Sequence, residues 1–134
     1  THQIAQDCRI VVETILGEEG EHVKAMQEQI EDLGGKPEKK GEYAFSFRIW
    51  EQFLTLASEL EGIAIRAYNG AIPSLKSQEA RELACSIVQV EGRHAASVLI
   101  QNKQEPAPEA FDPGDSEVNS INAVVRFTGV YPEL

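Results

Sequence analysis

Glu91-Gly92-Arg93-His94 and, earlier in the chain, Glu19-Gly20-Glu21-His22 share one spacing, a Glu followed three residues later by a His. Both lie inside helical patterns, where positions three apart share a face. Each pair therefore aims one carboxylate and one imidazole the same way. A further helical stretch adds Glu61, with Tyr68 seven residues on. Three helices turning carboxylates and imidazoles inward are how a helix bundle builds a two-metal site. The chain reads as all-α.

Working outward, the helix around Glu91 spans about Ser77 to Asn102. Its seam is Ala80, Ala84, Ile87, Glu91, His94 and Val98, in steps of three and four. Ser77 is placed to cap it, and Glu79 and Glu82 suit its positive end. The helix around Glu19 spans about Ile4 to Leu33, with the seam Ile4, Cys8, Val11, Ile15, Glu19, His22, Met26, Ile30, Leu33. Gly17 and Gly20 in it cost roughly 1 kcal/mol each against Ala and leave room for a close neighbour. Gly34-Gly35 and Pro37 end it. The helix around Glu61 spans about Ser46 to Asn69, with the seam Trp50, Leu54, Ala57, Glu61, Ala64, Tyr68. Gly70 and Pro73 are expected to stop or kink it.

Residues 34–47 connect the first two helices. They begin polar and end with Tyr43, Phe45 and Phe47. Fourteen residues reach ~46 Å, and a 20-residue helix is ~30 Å long. The connection can therefore cross the whole bundle, with its aromatic residues packing on the way, and the second helix can run parallel to the first. Residues 1–104 form the expected bundle domain, and residues 105–134 a C-terminal extension with Pro106, Pro108 and Pro113. A short helix from about Ser116 to Phe127 closes the extension, burying Val118, Ile121, Val124 and Val125.

A chain of 134 residues with 42% hydrophobic content supports one domain with one core. A net charge of -10 argues against nucleic acid and anionic membranes as partners. No apolar run approaches the ~20 residues of a transmembrane segment. The cysteines Cys8 and Cys85 sit among apolar residues and read as small buried side chains. Trp50 and Met26 read as core. His2 carries no role, and Glu13, Glu18 and Glu21 lie off the seam and read as solvated.

Buried carboxylates are costly unless paired or metal-bound. No Lys or Arg lies on any of the three seams, and Arg66 and Arg93 stand beside them on other faces. A divalent metal pair is the economical solution, and carboxylate with imidazole suits iron, manganese or zinc. The alternative is a structural core in which the Glu and His side chains bond one another with help from Tyr68. There is no phosphate loop, no Cys-based zinc pattern and no nucleophile elbow.

These residues resemble the ferritin-like family. Glu19-x-x-His22, Glu61-x6-Tyr68 and Glu91-x-x-His94 are similar to the second, third and fourth helices of its carboxylate bundle. Leu33-Gly34-Gly35-Lys36-Pro37, Leu60-Glu61-Gly62-Ile63-Ala64-Ile65-Arg66-Ala67-Tyr68-Asn69-Gly70-Ala71 and Pro106-Ala107-Pro108-Glu109-Ala110-Phe111-Asp112 resemble its desiccation- and stress-related branch. The resemblance implies Glu19, His22, Glu61, Glu91 and His94 as metal ligands and Tyr68 as a hydrogen-bond partner behind them. It implies a long crossover, for which residues 34–47 suffice, and an antiparallel first and third helix. Cys8 and Cys85 would then stand ~25 Å apart, too far for a disulfide.

The resemblance also implies a further helix, with its own Glu and a Tyr seven residues on, before Thr1. That helix would come from upstream chain or a partner chain. An apolar face left open by it predicts a homo-oligomer or other assembly. The expected cofactors are two divalent metal ions, iron first, with manganese or zinc as alternatives. The expected activities are metal handling or protection from oxidative and desiccation stress, as a ferroxidase, oxidase or peroxidase. The other class of reading is a structural assembly module without redox chemistry. The branch includes exported proteins, which a non-Met start also fits.

Overall fold

The computed structural model describes residues 2–128, with side chains from Cys8 onward. Within them are four helices, α1 (His2–Asp32), α2 (Trp50–Ala71), α3 (Gln78–Gln101) and α4 (Glu117–Val125), with a 3₁₀ turn at Ile72–Ser74. The expected all-helical bundle is what forms. The side chains of His2 and Ile4, and residues 129–134 of the C-terminal extension, lie outside the described residues.

Local chemistry sets the helix ends. Ser77 Oγ accepts from the Ala80 amide at 3.1 Å, a cap worth ~1 kcal/mol. Ser116 caps α4 in the same way, from the Asn119 amide at 3.2 Å. Gly34 takes a left-handed φ of 77°, and the Gly35 amide closes back on the Ile30 carbonyl at 2.8 Å. The corner from α2 to α3 is short. Arg81 Nη1 ties it down, donating to the carbonyls of Leu75 at 2.6 Å and Lys76 at 3.0 Å.

α3 is the central wall. It packs on α2 and on α1, while the backbones of α1 and α2 do not approach each other among the described residues. Side chains fix the directions. Cys8 meets Trp50 and Met26 meets Tyr68, so α1 and α2 run parallel. His22 meets Glu91 while Glu18 meets His94, so α1 and α3 run antiparallel. The α3 seam is buried at all six expected positions. Cys8, Leu54 and Val98 form the apolar core at one end, with Ile15, Phe53 and Ala57 against it.

On the side of the bundle between α1 and α2 lies an open apolar groove of about 360 Å³. Val12, Ile15, Leu16, Phe45 and Phe47 line it, with Glu19, Glu61 and Glu91 at its floor. Leu16 is 72% exposed there. Of the α1 side chains described, Cys8 alone is fully buried.

Several expectations need correction. α2 begins at Trp50 rather than Ser46, because residues 44–49 are held in a non-helical path. The Ala44 amide donates to the Phe127 carbonyl at 2.6 Å, Phe45 packs on Phe127, and Phe47 meets Phe53 edge-on. Trp50 is 44% exposed rather than buried in the core, with its indole N–H directed to Cys8 Sγ at 3.1 Å. Cys85 is exposed, one position off the seam residue Ala84. Val118 and Ile121 are exposed, while Val124 and Val125 are half-buried. α4 lies on α2, and Ile63 is buried beneath that layer, which the α2 seam alone does not anticipate. Nothing comes within 4 Å of a Cβ built at Gly17 or Gly20, so neither glycine serves a close contact among the described residues.

Gly70 does not end α2, which runs on to Ala71. Its role is close approach. Backbone atoms of Asp115 occupy the space a Cβ would need, and a Cβ at Gly114 would in turn meet the backbone of Asn69 and Gly70. The Asp115 amide donates to the Arg66 carbonyl at 2.9 Å, and Arg66 Nε pairs with Asp115 Oδ2 at 3.2 Å. The extension is thus locked onto α2 at this point.

Candidate metal centre

Midway along the bundle, the seams of α1, α2 and α3 converge. One donor atom from each of Glu19, Glu61, Glu91 and His94 lies within 4.8 Å of the others. His94 is the hub. Its Nδ1 stands 3.0 Å from Glu19 Oε1, 3.7 Å from Glu91 Oε2 and 3.8 Å from Glu61 Oε2. His22 approaches from the other side, with Nδ1 3.2 Å from Glu91 Oε1 and 3.4 Å from Glu19 Oε1. The two imidazoles stack at 5.9 Å between centroids. All five residues that the spacing singled out therefore meet in one place.

Burial makes this cluster expensive. Glu91 is 2% and His94 4% exposed, and Glu61 is buried too. The flanking arginines do not offset the charge. Arg66 is spent on Asp115, and Arg93 donates to the Gln89 carbonyl of its own helix. Burial, a hydrogen bond shared with Glu91 and the charges of Glu91 and Glu19 push the Glu61 carboxyl up to about 9. Burial, then the charge of Glu91, raises Glu19 as well.

The donors fit a divalent cation. His22 Nδ1 and Glu91 Oε2 are both buried and make no aligned hydrogen bond, although His22 stands close to carboxylates. Two buried atoms without a hydrogen-bond partner, an imidazole nitrogen and a carboxylate oxygen, converging beside further oxygen and nitrogen donors are what a cation satisfies. Glu19, Glu61, Glu91, His22 and His94 would hold it. The same carboxylate-and-imidazole set is suited to redox-active iron or manganese as well as to zinc.

Tyr68 stands beside the cluster. Its hydroxyl donates to Met26 Sδ at 2.9 Å, and burial, then the charges of Glu91 and Glu19, raise its pKa. Beyond this pair lies a second apolar cavity of about 230 Å³, between Ile30, Leu33, Leu75 and Leu83. Sequence reasoning missed Glu18. Its Oε2 lies 2.6 Å from His94 Nε2, although it sits off the seam and is half exposed. Its signal was adjacency to Glu19. Consecutive helix residues point ~100° apart, so long side chains at both positions can reach one neighbour.

A helix bundle carrying a carboxylate–histidine cluster at its centre is the class that fold and site define. A family model, the ferritin-like domain, matches residues 2–103. The chain belongs to the ferritin-like domain family. No curated protein matches it.

Proposed function

We propose that the chain is a dimetal carboxylate protein of ferritin-like type, acting in metal handling or in protection from oxidative or desiccation stress. The convergence of Glu19, Glu61, Glu91 and His94 donors within 4.8 Å, with His22 Nδ1 orphaned beside them, carries this reading. Glu19, His22, Glu61, Glu91 and His94 are the ligands. Tyr68 is the hydrogen-bond partner behind them, free to turn from Met26 to a ligand. Two divalent ions are taken up, iron ahead of manganese or zinc, and the activity is ferroxidase, oxidase or peroxidase in type. When bound, the metal pair supplies the electron exchange that no side chain in the cluster provides.

The chain's own residues bind and orient the metals from three helices, α1, α2 and α3. The fourth side is the apolar groove between α1 and α2. An amphipathic helix with a carboxylate of its own, from this protein or a partner copy, would cover the groove and complete the donor set. In this reading residues 1–104 are the working bundle and residues 105–134 a C-terminal extension, of which the described part lies on α2.

A second reading is a structural module. The short contacts of His94 with Glu18 and Glu19 favour it, since they show that the Glu and His side chains already satisfy one another in part. Elemental analysis of purified protein, with Glu61→Ala and Glu91→Ala beside it, separates the two. Under the metal reading the wild type carries about two metals per chain, each variant carries fewer, and ferrous iron is oxidised faster than in buffer. Wild-type protein without metal, and variants that gain stability by shedding a buried charge, would leave the structural module standing.

A further inference from the structure

Met26 is the only methionine in the chain, and the metal reading gives its sulfur no part. It stands four residues past His22 on α1, half-buried, in the wall of the apolar cavity of about 230 Å³. Apart from Gln29 and Tyr68 the lining of that cavity is apolar, and Ile30 and Leu33, both exposed, open it to solvent. A thioether sulfur carries two lone pairs and is a weak acceptor. The Tyr68 hydroxyl donates to it at 2.9 Å and so covers one of them. The other lone pair is left on a sulfur that lines a cavity connected to solvent. The sulfur is thus shielded on one face and reachable on the other.

From this geometry we infer that Met26 is a modification site, at which hydrogen peroxide entering the cavity makes a single epimer of methionine sulfoxide. The open lone pair of the sulfur attacks one peroxide oxygen. The S–O bond forms as the O–O bond breaks. The departing oxygen keeps the bonding pair, takes the proton of the transferred oxygen and leaves as water. The sulfur loses two electrons and the peroxide gains them. A flexible apolar side chain thereby becomes a polar, chiral one. The new oxygen enters an apolar cavity, where a polar group without partners is costly. Met26 with Tyr68 is one of the two side-chain links from α1 to α2 described above, the other being Cys8 with Trp50. Oxidation therefore loosens α1 from α2. No step in this needs a metal ion, so the inference stands or falls apart from the proposed function.

The test exposes metal-free protein to hydrogen peroxide and follows the peptide that carries Met26 by mass spectrometry, apart from the peptides of Cys8 and Cys85. The epimers are read with two sulfoxide reductases, each specific for one of them. Native protein is expected to gain one oxygen at Met26 within about tenfold of the rate in urea-unfolded protein, with one epimer exceeding the other by about fivefold or more. Unfolded protein, and Tyr68→Phe in its native fold, are expected to give near-equal epimers. Protein oxidised at Met26 is expected to exchange its α1 amides about five- to tenfold faster than before. Protection of Met26 by more than about 100-fold in the native fold would overturn the inference. Equal epimers in native wild type would do the same, as would a selectivity that survives Tyr68→Phe. Unchanged α1 exchange after full oxidation would overturn the loosening of α1. The comparison of native with unfolded wild type decides the site even where Tyr68→Phe fails to fold.

Discussion

Tyr68 donates its hydroxyl hydrogen to the sulphur of Met26 across 2.9 Å, joining α2 to α1 one turn past His22. A thioether is a weak acceptor that loses little when its partner goes. Tyr68→Phe is therefore expected to lower stability by no more than about 1 kcal/mol in urea denaturation and to keep the metal content of wild type. A tenfold or greater fall in metal affinity would mean that the hydroxyl turns to a ligand once metal is bound.

Glu61 gives the centre a pH signature. Its carboxyl titrates at about 9 in the fold against 4.5 as a free side chain, because of burial first and then Glu91 and Glu19. The native chain thus holds this proton more tightly than the unfolded chain does. The contribution to metal-free stability is complete below about 4.5 and is lost as pH rises through about 9. Urea midpoints of metal-free protein should fall across that window. Metal uptake near neutrality should expel protons, measurable by calorimetry in buffers of different ionisation enthalpy. Proton release of zero would contradict the assignment of Glu61 as a ligand.

Two glycines should respond in opposite senses to alanine. Gly92 faces open space on α3, so Gly92→Ala gains roughly 0.5–1 kcal/mol of helix propensity. Gly70 gains the same propensity but drives a methyl into the Asp115 backbone. Overpacking of that kind costs about 1–3 kcal/mol or more, so Gly70→Ala is expected to be a net loss and to loosen the segment around Asp115. Paired thermal melts check both signs.

The cysteines should divide by reactivity. Cys8 is 2% exposed beneath Trp50, whereas Cys85 is at the surface. A thiol reagent is expected to label one site rapidly in native protein, Cys85, and the second only on unfolding. Peptide mapping after brief labelling identifies which.

The α3 seam was legible residue by residue, since a helix walled in by partners on both sides prints its period on the chain. The five clustered Glu and His residues were legible for the same reason, as charges interrupting apolar stripes. Glu18 was not, because a stripe takes one or two residues per turn and ignores side chains long enough to reach around the helix. Ile63 was missed because a second layer, α4, buries the back of α2, and no seam records a layer that arrives from elsewhere in the chain. The start of α2 was set too early because the pairing of Ala44 with Phe127 joins residues far apart in sequence.

The open space between α1 and α2 bears on the order in which the molecule assembles. α2 and α3 form a hairpin across the Ile72–Ser74 corner, a local and therefore cheap closure, which brings Glu61 and Glu91 together early. α1 must return over the long connection, and among the described helices its backbone approaches α3 alone, with α2 reached only through side chains such as Cys8 and Met26. It brings Glu18, Glu19 and His22 with it. Under the proposed metal reading, capture of a cation and docking of α1 would be a single event, with the ion as a clasp between α1 and the α2–α3 hairpin. Hydrogen exchange should record this, with α1 amides slowing sharply when metal is added and the α2–α3 hairpin barely changing.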